Sequence, residues 1–180
     1  MVEKFLTTLS AILKKEGMDC SIFEESDEYP KARLLVYLGT DHRQRERTLE
    51  ITADEQILPA NFKDFETMQV ESGLYRIQIQ TLIPIDFHPQ QAANMASAIN
   101  FINGLLELPG LISDEVTNNV YYRNVQITAS HDFNKTILIG IIGMHRMVLD
   151  VFTDMLQKIG DGEMTFLELL DEVVKFTNAA

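Results

Sequence analysis

Four histidines are the side chains of this chain best suited to bind a transition metal or to transfer protons near neutral pH. They are His42, His88, His131 and His145. No two lie three or four residues apart, the spacing that would place two imidazoles on one face of a helix. The spacing therefore predicts no metal site. His145 lies beside the apolar stripe of a predicted long helix. It is predicted to be a partly buried histidine with satisfied hydrogen bonds, and the alternative is a pH-sensing group.

Cys20 is the single thiol, and no histidine lies near it in the sequence to activate it as a nucleophile. A cysteine is often simply a small buried hydrophobe. The chain contains no G-x-S-x-G, no phosphate-binding glycine loop and no C-x-x-C pair. We therefore predict a non-enzymatic protein without a cofactor, and the alternative is an enzyme whose site forms only in the fold.

Three arginines, Arg43, Arg45 and Arg47, form the one basic cluster. In an extended segment all three side chains would point the same way. One interpretation is a patch for an anionic ligand or an acidic partner. The other is a solvated strand edge, balanced by neighbouring acids, whose charge blocks unwanted pairing. The cluster has no interleaved aromatic residues, which argues against nucleic-acid binding.

The composition describes an acidic chain with enough apolar residues for a core. The 180 residues are 46% hydrophobic and carry a formal net charge of −12, and this length fits one domain. Such a charge repels nucleic acid and anionic membranes. No continuous run approaches the roughly 18 apolar residues that span a bilayer. A single cysteine suits a reducing compartment, so a cytoplasmic protein is expected.

Hydrophobic periodicity predicts the elements of the first half. An amphipathic helix is expected at about 3–16, ended by Gly17. Alternating or short apolar runs predict four strands, with a loop containing a helical turn near Phe62–Met68 before the last of them. The predicted strands are Met18–Glu24, Lys31–Leu38, Arg47–Thr52 and Leu74–Ile83.

The second half is predicted to contain helices around one hairpin. A helix opens at His88–Pro89 and ends at Pro109–Gly110. Asn118–Asn119 would turn a hairpin between Leu111–Val116 and Asn119–Ala129. A long helix from about Phe133 to Ile159, capped by Asp132 and broken at Gly160–Gly162, is followed by a last helix with Thr165 and Glu168 as a capping box.

These elements predict an α+β fold, in which an antiparallel sheet is flanked by helices in the order α-β-β-β-α-β-β-α. A single domain is expected over residues 1–180, with the sheet layer in 1–130 and a helical extension in 131–180. The stretch Asn100–Phe101–Ile102–Asn103, then Leu108–Pro109–Gly110, then Val120–Tyr121–Tyr122–Arg123 reads as a helix, a turn and a strand.

On these segments and this order, residues 1–150 resemble the type III secretion chaperone-like fold, and within it the YbjN-like proteins. The resemblance implies helices packed on one antiparallel sheet, often in a dimer. It implies binding of an extended client segment for the secretion chaperones, and no known enzyme activity for the YbjN-like group. The long helix followed by a separate helix departs from the usual single closing helix.

Several apolar residues of the long helix lie off its predicted main stripe. The stripe contains Ile137, Ile141, Met144, Val148, Val151, Phe152, Met155 and Ile159. Ile139, Ile142, Met147 and Leu149 lie beside it, so apolar residues surround more of the helix than one core face requires. This pattern predicts a homodimer contact that includes Ile139, Ile142 and Met147.

Taken together, these patterns predict a domain that binds an apolar or extended, preferably basic, segment of a client protein. An exposed strand edge, at Arg47–Thr52 or Met18–Glu24, could accept that segment by strand addition. The alternative is a small-molecule-sensing or regulatory domain that holds its ligand between sheet and helices.

Overall fold

Six strands and four helices form the part of the chain that the structure, a computed structural model, describes: residues 2–27, 29–56, 74–114, 116–129 and 133–179. A short 3-10 helix, Pro89–Gln91, leads into the second helix. In chain order the elements are α1 (Val2–Lys15), β1 (Cys20–Phe23), β2 (Arg33–Thr40), β3 (Glu46–Gln56), β4 (Leu74–Ile83), α2 (Ala92–Leu105), β5 (Leu111–Asp114), β6 (Asn119–Ala129), α3 (Lys135–Asp161) and α4 (Phe166–Ala179).

The strands form one antiparallel sheet in the order β1-β2-β3-β4-β6-β5. β1 pairs with β2 so that Cys20 lies opposite Val36, and β5 pairs with β6 so that Leu111 lies opposite Tyr122. The predicted α+β class, with an antiparallel sheet and a helical C-terminal part, is confirmed. The predicted order α-β-β-β-α-β-β-α agrees only roughly, because four strands rather than three precede α2 and two helices follow β6. One expectation about the edges is wrong, because β3 lies between β2 and β4 and Arg47–Thr52 is not an edge.

Most element bounds agree with the sequence patterns, and the differences have local causes. Gly39 does not stop β2, which continues to Thr40 with Gly39 at φ +94°. β5 ends at Asp114 rather than Val116, because the Asp114 carboxylate accepts hydrogen bonds from the main-chain N–H of Val116 (2.9 Å) and Thr117 (3.3 Å) and so forms the turn. The predicted helical turn near Phe62–Met68 lies outside the described residues.

The helix ends follow capping rules. The predicted box at α4 is confirmed: the Thr165 N–H donates to Glu168 Oε2 (2.7 Å), and the Glu168 N–H donates to Thr165 Oγ1 (3.3 Å). The Asn134 side chain caps α3 through the Thr136 N–H at 2.8 Å; Asp132, the predicted cap, lies outside the described residues. α3 continues through Gly160 and ends at Asp161, and Gly162 follows at φ +77°.

The described chain divides into two compact units, and each draws on segments from both sides of residue 130. The first unit contains 1–38, 48–80 and 124–142, and the second contains 39–47, 81–123 and 143–180. The predicted single domain, divided near residue 130, stays a prediction.

The core of the first unit lies between α1 and one face of the sheet. Successive residues of a strand face opposite sides, and Leu34, Leu49 and Ile77 belong to the buried rows of β2, β3 and β4. Phe5 of α1 stacks on Tyr75 at a ring-centroid distance of 5.9 Å. The sheet of this unit therefore has one apolar face against the helix.

The second unit packs helices around β5. α2 contacts both β5 and α4, and Phe101 meets Phe166 edge to face at 6.0 Å. The Tyr122 hydroxyl donates to the Leu108 carbonyl oxygen at 2.7 Å. Gly160 allows α3 to pass close to the main chain at Asp86 and Phe87, since a Cβ on Gly160 would lie 2.9 Å from the Asp86 oxygen.

The 27-residue helix α3 is long and apolar enough, by length and composition, to cross a membrane. In its most apolar window, 44% of the residues are buried inside the fold. The core helix of a soluble protein meets the same criteria, so this one helix is weak evidence for a membrane span.

Candidate functional site

The outward face of the sheet in the first unit is polar where the opposite face is apolar. We call this surface the open face. It presents Arg33 on β2, Glu50, Thr52 and Asp54 on β3, and Arg76, Gln78 and Gln80 on β4, all of them only partly buried. Alternation along three neighbouring strands brings these side chains together, because the intervening residues turn into the core.

A chain of side-chain hydrogen bonds crosses the open face. Arg76 Nη2 donates to Gln78 Oε1 (2.8 Å), and Gln78 Nε2 donates to Gln80 Oε1 (2.9 Å). Gln80 Nε2 donates to Glu50 Oε1 (3.0 Å), and Arg33 Nη1 lies 3.4 Å from the other oxygen of that carboxylate. The network holds long side chains in place on a surface that solvent can reach.

One end of the open face contains a pocket of about 210 Å³. It is lined by Tyr29, Pro30, Lys31, Arg33, Glu50, Thr52, Asp54, Arg76 and Gln78. The Tyr29 ring covers Arg33, with 3.3 Å between the guanidinium carbon and the ring centroid. Arg33 Nε is buried and has no hydrogen-bond partner within the described chain.

Positive charge exceeds negative charge in this pocket. Lys31 Nζ lies 2.7 Å from Asp54 Oδ1, and Arg76 Nη1 lies 3.9 Å from Asp54 Oδ2. Two cations thus share one carboxylate, while Arg33 faces Glu50. Lys31 is 54% exposed and Arg76 is 37% exposed, so their ammonium and guanidinium groups can contact a ligand.

The β1 edge of the sheet is a second candidate site. The Tyr37 N–H donates to the Asp19 carbonyl oxygen at 2.9 Å, and the antiparallel register then points the main-chain groups of Ser21 and Phe23 at β2. The N–H and C=O groups of Cys20 and Ile22 point away from β2. Within the described residues they have no hydrogen-bond partner. The Cys20 side chain contacts Ser10 of α1, so α1 covers a face of β1 rather than its edge.

The opposite edge of the sheet is covered by a side chain at the first residue of β5, Leu111. Asn103 of α2 accepts hydrogen bonds from the N–H groups of Gly110 (3.0 Å) and Leu111 (2.9 Å). Its amide nitrogen also donates to the Leu111 carbonyl oxygen at 2.9 Å. The amide therefore takes the position that a neighbouring strand would take beside β5, a recognised way of protecting an edge.

The predicted arginine cluster does not form a common basic patch. Arg45 Nε donates to Asp41 at 2.6 Å, and Arg45 Nη1 donates to Gln157 of α3 at 2.8 Å. Arg47 pairs with Asp150 of α3 and is largely buried. The prediction of a shared partner surface is therefore wrong for Arg45 and Arg47, since their guanidinium groups bind α3. Arg43 is exposed, and its partner role stays a prediction.

Asp41 organises the turn between β2 and β3. Its buried carboxylate accepts hydrogen bonds from the N–H groups of Arg43 (2.9 Å) and Arg45 (2.8 Å). Burial alone would raise the pKa of Asp41, but these bonds and the Arg45 charge outweigh it, and the pKa lies below its ordinary value. The turn is therefore held by charge and hydrogen bonds.

The predicted partner residues of α3 occupy different environments. Ile142 and Leu149 are buried within the chain, so the prediction that Ile142 faces a second subunit is wrong. Ile139 is partly buried, and Met147 is 37% exposed. Ile137 and Val151 of the predicted core stripe are exposed. The buried face contains His145, for which partial burial was predicted, and also Thr153 and Gln157, polar residues that a hydropathy pattern assigns to the surface.

His145 is fully buried in the core, whereas the sequence predicted a partly buried histidine with satisfied hydrogen bonds. Its Nδ1 is 2.9 Å from the Thr81 hydroxyl, and its ring meets Tyr122 edge to face at 4.6 Å. Nε2 is buried without a partner in the described residues. Burial lowers the pKa of His145 to about 4, so the ring is neutral at physiological pH.

The other candidate side chains lie apart from one another in the described part of the chain. His42 pairs with Asp154 at the surface (3.4 Å), and Cys20 is buried. His131 lies outside the described residues. In the parts of the chain that the structure describes, no group of three or more His, Cys, Asp or Glu side chains could hold a metal ion.

The pocket residues were not predicted from the sequence. Lys31, Arg33, Asp54 and Arg76 are separated by up to 45 positions and share no motif. The sequence showed only the alternation of Arg76, Gln78 and Gln80 with apolar residues. This alternation predicts a polar face on one strand, but it does not identify the neighbouring strands.

No protein-family model matches the sequence, and a comparison with curated proteins finds no significant match.

Proposed function

We propose that this chain is a non-enzymatic protein-binding domain that accepts an extended segment of a partner protein at the β1 edge. The observation that carries the proposal is the row of main-chain groups at Cys20 and Ile22 that have no partner in the described part of the chain. An added strand pairs with such groups and gains affinity from main-chain hydrogen bonds. Asn103 covers the Leu111 end of the β5 edge, which supports β1 as the place of addition.

The surroundings of β1 favour a basic segment with apolar residues. Asp19, Glu24, Glu25 and Asp27 are exposed on either side of the strand. Their field would speed the encounter with a cationic segment, and salt would weaken this effect because charges are screened over about 8 Å at physiological ionic strength. Phe23 is 46% exposed beside the edge and offers apolar contact area.

Paired proline variants test the edge. Ile22→Pro removes an outward-facing N–H and leaves the bonds from β1 to β2 in place, as edge prolines do. Ser113→Pro makes the same change on β5, the edge strand that α2 contacts and that Asn103 covers at Leu111. Peptides selected from a random display library against the wild-type chain are then measured for affinity to both variants.

We expect selected peptides to lose binding to Ile22→Pro and to keep binding to Ser113→Pro. They should also slow amide hydrogen exchange at Ile22. The proposal fails if no peptide is selected, or if Ile22→Pro, still folded by its melting temperature, binds as well as the wild type.

A chaperone-like role in the cytoplasm is part of this proposal. The order of helices and strands supports the resemblance to the secretion chaperone-like fold, and the free, buried Cys20 suits a reducing compartment. A homodimer is proposed through α3, where Gly143, Met147 and Val151 lie one turn apart on its exposed side.

The pocket on the open face favours a second candidate function, a domain that senses a small molecule. A concave site with convergent polar groups is the usual form of a ligand site. Variants at the β1 edge would leave this function intact, whereas variants of Lys31 or Arg76 would remove it.

A further inference from the structure

The pocket on the open face contains more cationic donors than the surrounding acceptors can satisfy. A lysine ammonium carries three N–H donors and an arginine guanidinium carries five. Lys31 and Arg76 share the carboxylate of Asp54, and Arg76 makes one further hydrogen bond, to Gln78. Both side chains keep exposed donors that point at solvent. A second carboxylate would accept hydrogen bonds from these donors.

We propose that this pocket binds a carboxylate between Lys31 and Arg76. A guanidinium matches a carboxylate with two parallel hydrogen bonds, and a charged donor strengthens each of them. Arg33 does not take part directly, because its Nε is covered and its guanidinium faces Glu50 and the Tyr29 ring. The inference rests on the pocket of the second candidate function and is independent of strand addition at β1.

The volume of the pocket limits the size of the ligand. Sites for drug-sized ligands enclose roughly 300–1,000 Å³, and this pocket encloses about 210 Å³. The carboxylate therefore belongs to a small organic acid or to an acidic side chain of a protein segment, two sources of the same group.

The local positive charge favours an anion in this pocket, although the net charge of the whole chain is negative. The net charge of −12 repels anions at long range, whereas Lys31 and Arg76 together exceed Asp54 by one positive charge. The attraction therefore acts only at contact distance. This predicts weak affinity, on the order of millimolar, which corresponds to about 4 kcal/mol.

The test is a titration followed by amide and arginine side-chain NMR signals at constant ionic strength. The three probes are succinate, a terminally blocked peptide with one glutamate, and inorganic phosphate. The variants are Arg76→Gln and Lys31→Gln. Arg123→Gln is the matched control, because Arg123 is an exposed arginine of β6 that does not line the pocket.

We expect saturable shifts in β2, β3 and β4 with succinate, with the glutamate peptide, or with both. Each pocket variant should weaken binding about tenfold, the loss of one charge-assisted hydrogen bond, and Arg123→Gln should leave it unchanged. Shifts with succinate alone identify a free acid as the source, and shifts with the peptide alone identify a protein segment.

Three results would overturn the proposal: no saturation by either carboxylate, binding of phosphate without binding of a carboxylate, or wild-type affinity in Arg76→Gln and Lys31→Gln. If one pocket variant fails to fold, the carboxylate affinity of the other variant still tests the proposal. The Ile22→Pro variant keeps the pocket, so loss of strand addition and loss of carboxylate binding are separate outcomes.

Discussion

At the scale of single residues, His145 shows how a titratable side chain becomes part of a core. Its ring is enclosed, contacts Tyr122, and uses one nitrogen to bind Thr81. Burial disfavours the charged imidazolium and so lowers the pKa. In the unfolded chain the same ring has its ordinary pKa of about 6.5. Between about pH 4 and pH 6.5 the unfolded chain therefore binds a proton at this ring that the folded chain does not bind.

We expect the free energy of unfolding to fall as the pH decreases from 6.5 toward 4. Below pH 6.5 the unfolded chain binds a proton that folded His145 rejects, so the contribution is complete above 6.5 and is lost as the pH falls. The full difference is on the order of 3 kcal/mol, and roughly 1 kcal/mol of it separates pH 7.5 from pH 5.5. Urea unfolding at these two pH values measures it.

The control is His145→Gln, which cannot titrate. The carboxyls with lowered pKa values, Asp41, Asp114 and Glu168, lose their contribution only at lower pH and are common to both proteins. An equal pH dependence in wild type and variant over this range would contradict a buried neutral His145.

Asp41 is the second residue whose charge has a structural consequence. We expect Asp41→Asn to lower the free energy of unfolding by about 2 kcal/mol, because Arg45 then loses its charged partner while it is still partly buried. Asp154→Asn removes the exposed pair with His42 and should change the stability by less than about 0.5 kcal/mol. Urea unfolding compares the two variants, and equal losses would contradict the role of Asp41.

At the scale of elements, α3 contains glycines in opposite situations. A Cβ built on Gly143 meets no atom within 4 Å, whereas one on Gly160 would lie 2.7 Å from the Phe87 Cβ. A mid-helix glycine costs about 1 kcal/mol relative to alanine. Gly143 therefore weakens the helix, and no contact within the described residues requires a glycine there. At Gly160 the close approach of residues 86 and 87 does require a glycine.

We expect Gly143→Ala to raise the melting temperature by a few degrees, in line with a gain of about 1 kcal/mol. Gly160→Ala should lower it, because the backbone of residues 86 and 87 must move. Calorimetry of both variants tests the pair. A stabilised Gly160→Ala variant would show that the close approach of α3 to this backbone is wrong.

At the scale of the whole molecule, the assembly state decides how the exposed side of α3 is used. If the proposed homodimer forms there, Met147→Glu should dissociate it and leave a folded monomer, since Met147 is partly exposed within the single chain. Ile142→Glu should instead unfold the chain, because it places a charge at a buried position. Light scattering gives the mass and circular dichroism gives the folded state.

A wild-type chain that is monomeric at high micromolar concentration would end the dimer proposal. A folded Ile142→Glu variant would contradict the burial of Ile142. The two measurements therefore test the assembly and the packing of α3 separately.

The sequence by itself determined most of the elements and many of their ends, although the predicted order counted one strand too few before α2. Period-2 alternation located β4 and β6, helical periodicity located α1 and α3, and the Thr165–Glu168 box located the start of α4. These features depend on neighbours a few residues apart, which a single sequence displays. The positive φ of Asn118 at the hairpin has the same origin.

Only the tertiary structure decided which surfaces are free. The strand order placed Arg47–Thr52 inside the sheet and Cys20–Phe23 at its edge, and hydropathy does not specify which strands are neighbours. Packing turned Ile142 inward and used Arg45 and Arg47 to bind α3. The pocket required Lys31, which precedes β2, to meet Asp54 of β3 and Arg76 of β4. Contacts between residues far apart in the chain depend on register and packing, which local periodicity does not encode.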